Sequence, residues 1–206
     1  MSEYDVIIVG GRPSGATLAA RLGQGGLRVL LLERMVFPSL PGASCPIIYA
    51  STMRMLDEIG ADESAYARGT PPIHKMINII DDDVYEFSIP DAYGRDYAYA
   101  IDRARFDAAL WNHAAQQTGV EAISGLSVTD VITNDDRVIG VFAQGDDRVV
   151  RTFTADVVVG ADGRFSTVAR KVNAPERDEH EENPTSLYYA YWTNVEPLFD
   201  GTPAAA

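Results

Sequence analysis

The chain has 206 residues, of which 46% are hydrophobic and 23% charged, a composition typical of a soluble globular protein and unlike that of a disordered chain. Its 30 acidic side chains against 17 lysines and arginines give a formal net charge of -13, which argues against nucleic acids and anionic membranes as partners. A single cysteine, Cys45, excludes an internal disulfide and a thiolate metal cluster, and no apolar run is long enough for an integral membrane segment. No cationic segment precedes the first apolar run, so these features predict a cytoplasmic protein without a secretory signal.

The beginning of the chain predicts a βαβ unit. Residues 4–9 form an apolar, β-branched run typical of a strand buried on both faces, and residues 28–32 form a second. Between them, residues 14–24 predict a helix that ends at a group of glycines. Two buried strands joined by a helix indicate an α/β fold with a parallel sheet.

The rest of the chain alternates helices with strands, and residues 35–48 predict an ordered loop between them. Predicted helices cover residues 50–59, 103–118 and 165–172. Predicted strands cover residues 73–80, 84–89, 120–123, 127–133, 138–143, 148–154, 155–159 and 187–192. The three short strands between residues 127 and 154 indicate an antiparallel meander inserted before a third buried strand, residues 155–159.

A glycine turn, Gly10-Gly11-Arg12-Pro13-Ser14-Gly15, lies between the first strand and the first helix. The start of a helix offers unpaired amides and the positive end of its dipole to a pyrophosphate. Glu33 ends the second strand, where an acid hydrogen-bonds an adenosine ribose hydroxyl, and it favours NAD or FAD over NADP. Arg12 replaces the middle glycine of G-x-G-x-x-G, so its side chain must turn away from the phosphates or wrap around them. Arg34 is either a solvated surface cation or lies on the adenine.

The choice between NAD and FAD depends on the later part of the chain. Asp162 and Gly163 follow the third buried strand, where a carboxylate can accept hydrogen bonds from a ribityl chain, which FAD has and NAD lacks. The long segments before that strand also differ from a simple dehydrogenase half. An NAD-linked dehydrogenase, or a truncated nucleotide-binding fragment without activity, is kept as the alternative.

Four segments resemble, in order, the motifs of FAD-dependent oxidoreductases of the aromatic hydroxylase and geranylgeranyl reductase type. They are DVIIVGGRPSGA, LLLER, AIDRARFDAAL and VVVGADGRFSTVARKV. The resemblance implies a Rossmann-like FAD-binding domain with a β-meander insertion, followed by the start of a mixed-sheet substrate domain. It places the FAD-binding domain at residues 1–175, with 73–100 contributing to the substrate side, and the incomplete substrate domain at 183–206.

The resemblance also implies roles for individual residues. The FAD pyrophosphate would lie on Gly10, Gly11, Pro13, Ser14 and Gly15 with Arg12 nearby, Glu33 would bind the ribose, and the backbone of Val128 would touch the adenine. Arg103 would face the cofactor, and Asp162 and Gly163 would lie near the ribityl chain and pyrophosphate. The residues alone leave Arg103 open as a surface cation and Asp162 as a helix cap. No side chain is identified as a catalytic acid or base, and no metal site is predicted.

The predicted function is an FAD-dependent oxidoreductase, either a monooxygenase or a double-bond reductase, acting on an apolar or aromatic small molecule with NAD(P)H as a possible electron donor. The aromatic strand at residues 187–192 is followed by little sequence that could cover it. We therefore expect the isolated chain to bind FAD weakly or to self-associate through the incomplete substrate domain.

Overall fold

The computed structural model describes residues 2–40 and 44–175, together with Tyr188 and Ala190. Within these residues lie five helices: α1 (Pro13–Gln24), α2 (Ala50–Glu58), α3 (Glu63–Ala67), α4 (Arg103–Ala115) and α5 (Thr167–Lys171). The strands there are β1 (Tyr4–Val9), β2 (Val29–Glu33), β3 (Ile47–Ile48), β4 (Lys75–Ile80), β5 (Asp83–Ser88), β6 (Tyr99–Ala100), β7 (Val120–Ser124), β8 (Ser127–Asn134), β9 (Arg137–Gln144) and β10 (Val150–Gly160). In this part of the chain, no helix is both long and apolar enough to cross a bilayer.

A six-stranded mixed sheet in the order β7-β2-β1-β10-β9-β8 forms the centre of the fold. β7, β2, β1 and the second half of β10 run parallel, whereas β8, β9 and the first half of β10 form the antiparallel meander. The predicted α/β fold with a β-meander insertion is therefore confirmed.

Alternate side chains of β1 and β2 point into two separate cores, as the two-residue period of a strand requires. Val6, Ile8, Val29 and Leu31 pack with α1, α2 and α4, whereas Ile7, Val9, Leu30 and Leu32 pack with the meander. Both strands are thus covered on both faces. This double burial explains why their sequences are continuously apolar rather than alternating.

The prediction of separate strands at residues 148–154 and 155–159 is wrong, because residues 150–160 form the single eleven-residue strand β10 and residues 148–149 precede it. Its first half pairs with β9, from Val150 opposite Gln144 onward, and its second half pairs with β1, from Ala155 opposite Tyr4 onward. One uninterrupted strand therefore joins the meander to the parallel sheet.

A two-stranded hairpin of β4 and β5 projects from the domain with most of its side chains exposed. It carries five large exposed apolar side chains, Ile79, Ile80, Val84, Tyr85 and Phe87.

The predicted strands at 73–80 and 84–89 are confirmed, whereas the β3–β6 pair and α3 were not predicted. The predicted strand at 187–192 and the start of a substrate domain at 183–206 lie outside the described residues, apart from Tyr188 and Ala190.

Helix α3 is fastened to a neighbouring segment through Glu63. Arg95 donates a hydrogen bond to Oε2 of Glu63 at 2.8 Å, and the hydroxyls of Tyr97 and Tyr99 donate to Oε1 at 2.8 and 2.9 Å. Burial alone raises the pKa of this carboxyl, but these hydrogen bonds and the charge of Arg95 hold the pKa below its ordinary value. The ionised carboxylate therefore stabilises the folded state.

We expect Glu63→Gln to lower the free energy of unfolding by about 1–2 kcal/mol at pH 7, because charge-assisted hydrogen bonds are lost. A carboxylate with a lowered folded pKa stabilises above its unfolded pKa, about 4.3, and this contribution disappears as the pH falls through the folded pKa. Urea unfolding at pH 7 and pH 3 checks the prediction, with Glu86→Gln on the exposed hairpin as the control. An equal gap between wild type and Glu63→Gln at both pH values would contradict it.

Candidate functional site

Three strand ends meet at one edge of the central sheet. β1 lies between β2 and β10, and all three run in the same direction, so their carboxyl ends lie side by side. The glycine turn follows β1, Glu33 ends β2, and Asp162 follows β10. The topology thus brings together the glycine turn, Glu33 and Asp162, although Gly10, the first residue of the turn, and Asp162 are more than 150 positions apart in the sequence. In open α/β sheets, ligands bind at this edge.

The glycine turn packs so closely that Gly10, Gly11 and Gly15 leave no room for a side chain, and at Gly10 and Gly15 the obstacle is backbone. Gly10 has φ +103°, and a Cβ there would overlap the carbonyl oxygen of Ala161 in the loop after β10. A Cβ at Gly15 would overlap the carbonyl oxygen of Gly10 and lie 3.3 Å from Cγ2 of Ile8. Gly10 and Gly15 therefore let α1 begin directly above β1 and beside the Asp162 loop.

Glu33 is 5% exposed and hydrogen-bonds backbone amides on both sides of its strand end. Its Oε2 accepts from the N–H of Gly11 at 2.8 Å, and its Oε1 accepts from the N–H of Met35 at 3.0 Å. The side chain therefore points at the glycine turn rather than into solvent. Each oxygen keeps a second lone pair with which it can accept a hydroxyl.

Asp162 organises the loop between β10 and α5. Its Oδ2 accepts a hydrogen bond from the N–H of Thr167 at 2.6 Å, and its Oδ1 accepts from the hydroxyl of Ser166, the N-cap residue of α5. Gly163 has φ +87°, which favours glycine. The carboxylate of Asp162 thus supports the start of α5, although Ser166 is the N-cap residue of that helix. The backbone of Asp162 lies against Gly10, where an added Cβ would come within 2.9 Å of the Cα of Asp162.

Helix α5 is tied back to the meander by an exposed ion pair. Nζ of Lys171 lies 2.8 Å from Oδ2 of Asp130 on β8. This hydrogen bond, with one from the N–H of Val131, lowers the pKa of the Asp130 carboxyl. The loop that carries Asp162 is thus held between β10 and a helix anchored on β8.

The start of α1 fits an anionic ligand. Among the described residues no side chain caps this helix, and its first turn contains no acidic residue. Pro13 occupies the first turn, where its missing N–H is not needed. The helix start therefore presents amides and a positive dipole end with no carboxylate of its own helix to neutralise them.

The side chain of Arg12 turns away from the helix start toward α4. Its guanidinium hydrogen-bonds Oδ2 of Asp107 at 2.7 Å and Oγ of Ser39 at 3.1 Å, and its Cζ lies 5.7 Å from the ring centroid of Phe37. The sequence left two arrangements open for Arg12, with its side chain turned away from a bound phosphate or wrapped around it. In the structure the side chain is turned away, and the glycine turn is left clear.

Arg103 is buried, so its interpretation as a surface cation at the start of a helix is wrong. Its Nε donates to Oδ1 of Asp107 at 2.9 Å, and its Nη1 donates to the hydroxyl of Ser44 and to the carbonyl oxygen of Cys45. Sequence reasoning missed Asp107, which is fully buried. The signal available was its spacing of four residues from Arg103 on a helix.

Two predicted residues, Val128 and Arg34, make none of the site contacts described above. Val128 is buried in the core beneath the meander, at a point where the register of β8 against β9 shifts. Arg34 is exposed just after β2. The structure therefore brings Gly10, Gly11, Arg12, Pro13, Ser14, Gly15, Glu33 and Asp162 to one edge, with Arg103 joined to Arg12 through Asp107.

Comparison with known proteins places this architecture among flavoproteins. The profile of a family described as FAD binding domain matches residues 3–198. The protein FixC of Salmonella typhi is 30% identical over 185 residues, which are 87% of this chain and 41% of FixC. YhjG of Bacillus subtilis, described as an uncharacterised aromatic compound monooxygenase, is 28% identical over 180 residues, 86% of this chain and 35% of its own length.

Among solved structures, the myxobacterial chondrochloren halogenase CndH, described as a variant of FAD-dependent halogenases, superposes with a TM-score of 0.70 at 27% identity. The match covers 82% of this chain and 39% of CndH. The chain therefore spans less than half the length of these relatives.

Proposed function

Because the chain belongs to the FAD-binding domain family, we propose that residues 1–175 bind FAD along the edge formed by β2, β1 and β10 and serve a flavin-dependent oxidoreductase. The observation that carries this proposal is the convergence of the uncapped start of α1, the buried carboxylate of Glu33 and the fixed carboxylate of Asp162. A pyrophosphate binds at the uncapped start of a helix, and the hydroxyl groups of the ribose and the ribityl chain donate hydrogen bonds to carboxylates such as those of Glu33 and Asp162.

Each residue has one task in this arrangement. The pyrophosphate lies over residues 11–15, and Gly15 lets α1 begin close enough to β1 to present its first amides there. Glu33 accepts hydrogen bonds from the adenosine ribose, with the backbone of Val128 and the side chain of Arg34 beside the adenine. Asp162 and Gly163 lie along the ribityl chain, and the guanidiniums of Arg12 and Arg103 add positive charge on the side of α4.

Bound FAD supplies the hydride and electron transfer, and the chain supplies binding, orientation and exclusion of water. The names of YhjG and CndH support oxidative chemistry, and we propose a monooxygenase ahead of a double-bond reductase. NAD(P)H is the proposed electron donor, and an apolar or aromatic small molecule is the proposed substrate. A cytoplasmic location is proposed on the composition.

The substrate side is proposed to include residues 73–100 and a domain that begins at residues 183–206. The exposed apolar side chains of the β4–β5 hairpin support this assignment, because side chains such as Ile79 and Phe87 need a partner surface. The same surface provides a route for self-association.

A visible absorption spectrum of the purified chain after incubation with FAD and gel filtration tests the proposal. Retained flavin bands, or saturable quenching of FAD fluorescence in a titration that extends to hundreds of micromolar, support it. Binding of NAD with none of FAD would favour the dehydrogenase alternative, and binding of neither would leave a fragment without cofactor.

Replacing Glu33 with alanine is expected to weaken FAD binding by about 1–3 kcal/mol, since hydrogen bonds to a charged acceptor are lost. The substitution also leaves the amide of Gly11 without its partner, so affinity is measured at a temperature where urea unfolding shows the variant to be folded. Glu86→Ala, on the exposed hairpin, is the control. Unchanged FAD affinity in Glu33→Ala would show that the carboxylate serves only the fold.

A further inference from the structure

The carboxylate of Asp107 holds two arginines from different parts of the chain. Its Oδ1 accepts from Nε of Arg103 at 2.9 Å, and its Oδ2 accepts from Arg12 at 2.7 Å and again from Arg103 at 3.2 Å. The side chain of Asp107 is 0% exposed, that of Arg103 8% and that of Arg12 23%. One buried acid on α4 thus fixes the orientation of two guanidiniums.

The remaining N–H groups of these arginines reach the loop that follows β2. Arg12 donates to the carbonyl and hydroxyl of Ser39 and to the carbonyl of Leu40. Arg103 donates to the hydroxyl of Ser44 and to the carbonyl of Cys45. Residues on both sides of 41–43 are therefore linked to the same carboxylate.

The cluster carries a net charge of +1, in a chain whose formal charge is -13. Arg12 is also the N-cap residue of α1, so this charge lies next to the helix start described above. Asp107 and Ser39 hold the guanidinium of Arg12 away from the backbone amides of the glycine turn, so a ligand can approach those amides. Without Asp107, the guanidinium of Arg12 would be free to fold back over the turn.

We propose that Asp107 is a positioning residue for FAD binding, which acts through Arg12 and Arg103. It keeps their guanidiniums beside the glycine turn but off its amides, and through them it holds Ser39 and Ser44. This inference rests on the proposed function. It assigns to one buried acid an effect on cofactor affinity that is separate from its contribution to folding.

Asp107→Asn in the 206-residue chain is the test, with FAD and ADP as probes in fluorescence titrations and urea unfolding measured in parallel. We expect folded Asp107→Asn to bind both probes about tenfold or more weakly, the loss that charged hydrogen bonds predict. The loss should shrink when Arg12 is already methionine, because one of the two groups that Asp107 positions is then absent. Glu63→Gln, in which a carboxylate that holds Arg95 is neutralised away from the glycine turn, should bind as wild type does.

Arg12→Lys keeps the charge at a partly exposed position but lacks the fork that reaches Asp107 and Ser39 together, so it decides the matter if Asp107→Asn does not fold. Weaker binding by Arg12→Lys supports the inference, and wild-type affinity overturns it. An Asp107→Asn variant that loses stability but keeps FAD affinity within twofold also overturns it, while the proposed function stands. A wild-type chain that binds no FAD overturns both.

Discussion

Replacing Gly15 with alanine is expected to lower the free energy of unfolding by at least about 3 kcal/mol and to abolish measurable FAD binding. The new Cβ would overlap the carbonyl oxygen of Gly10, a backbone atom that cannot rotate away as a side chain does. The start of α1 must therefore shift from β1, against the packing of Ile8 and Ala16 in the core beneath it. Helix propensity alone would make the alanine variant more stable by about 1 kcal/mol. A loss of stability would therefore show that the close approach of α1 to β1, and not helix propensity, decides the effect.

Gly25→Ala provides the matched control at the other end of α1. Gly25 has φ -76°, and a Cβ there would come no closer than 3.2 Å to the carbonyl oxygen of Leu22. Urea unfolding of both variants and FAD titration of the folded proteins give the comparison. If the Gly15→Ala and Gly25→Ala proteins are equally stable, the start of α1 can shift away from β1 without lowering the free energy of unfolding, and the prediction is wrong.

The second large effect is expected at Trp111, whose replacement by alanine should lower the free energy of unfolding by about 3–5 kcal/mol. Its indole lies directly under the turn, where a Cβ at Gly11 would overlap the ring, and the ring of Phe37 lies against it at a tilt of 35°, with centroids 5.1 Å apart. Alanine would leave a cavity beneath Gly11. We therefore expect the amides of the turn to lose their fixed direction and FAD affinity to fall together with stability.

Phe87→Ala is the control for this substitution, because Phe87 is an aromatic residue on the exposed face of the hairpin. Its loss should change the free energy of unfolding by less than about 1 kcal/mol. Trp111→Phe, which keeps a ring under the turn, should fall between wild type and Trp111→Ala. Equal losses for Trp111→Ala and Phe87→Ala would show that the turn does not rest on the indole.

Local signals were sufficient for the parts of the fold in which each element carries its own pattern. The apolar runs of β1 and β2, the glycine turn and Glu33 are all within one βαβ unit, so their order in the sequence also fixes their arrangement in space. The Asp162-Gly163 pair was found in the same way, because it directly follows a buried strand.

Other features depend on contacts between distant segments and left weaker signals. The pairing of β3 with β6 involves two residues on each side, too few for a periodic pattern. The division of β10 into two strands followed from its change of composition at residue 155, whereas its backbone runs on because β9 and β1 pair with successive halves. The burial of Asp107 depends on Arg12, 95 positions earlier, and spacing on α4 alone predicts only an exposed ion pair.

The position of β1 between β2 and β10 has a consequence for the order of events during synthesis. One edge of β1 pairs early, since Val6 faces Val29, but the other waits for Ala155, which is 151 positions after its partner Tyr4. At about 5–20 residues per second, the ribosome needs roughly 8–30 s to span that interval. Throughout this time the nascent chain carries an apolar strand with one open edge, which exposes it to mispairing with other chains. The meander immediately precedes this half of β10, so the strand that closes the sheet can arrive already paired with β9.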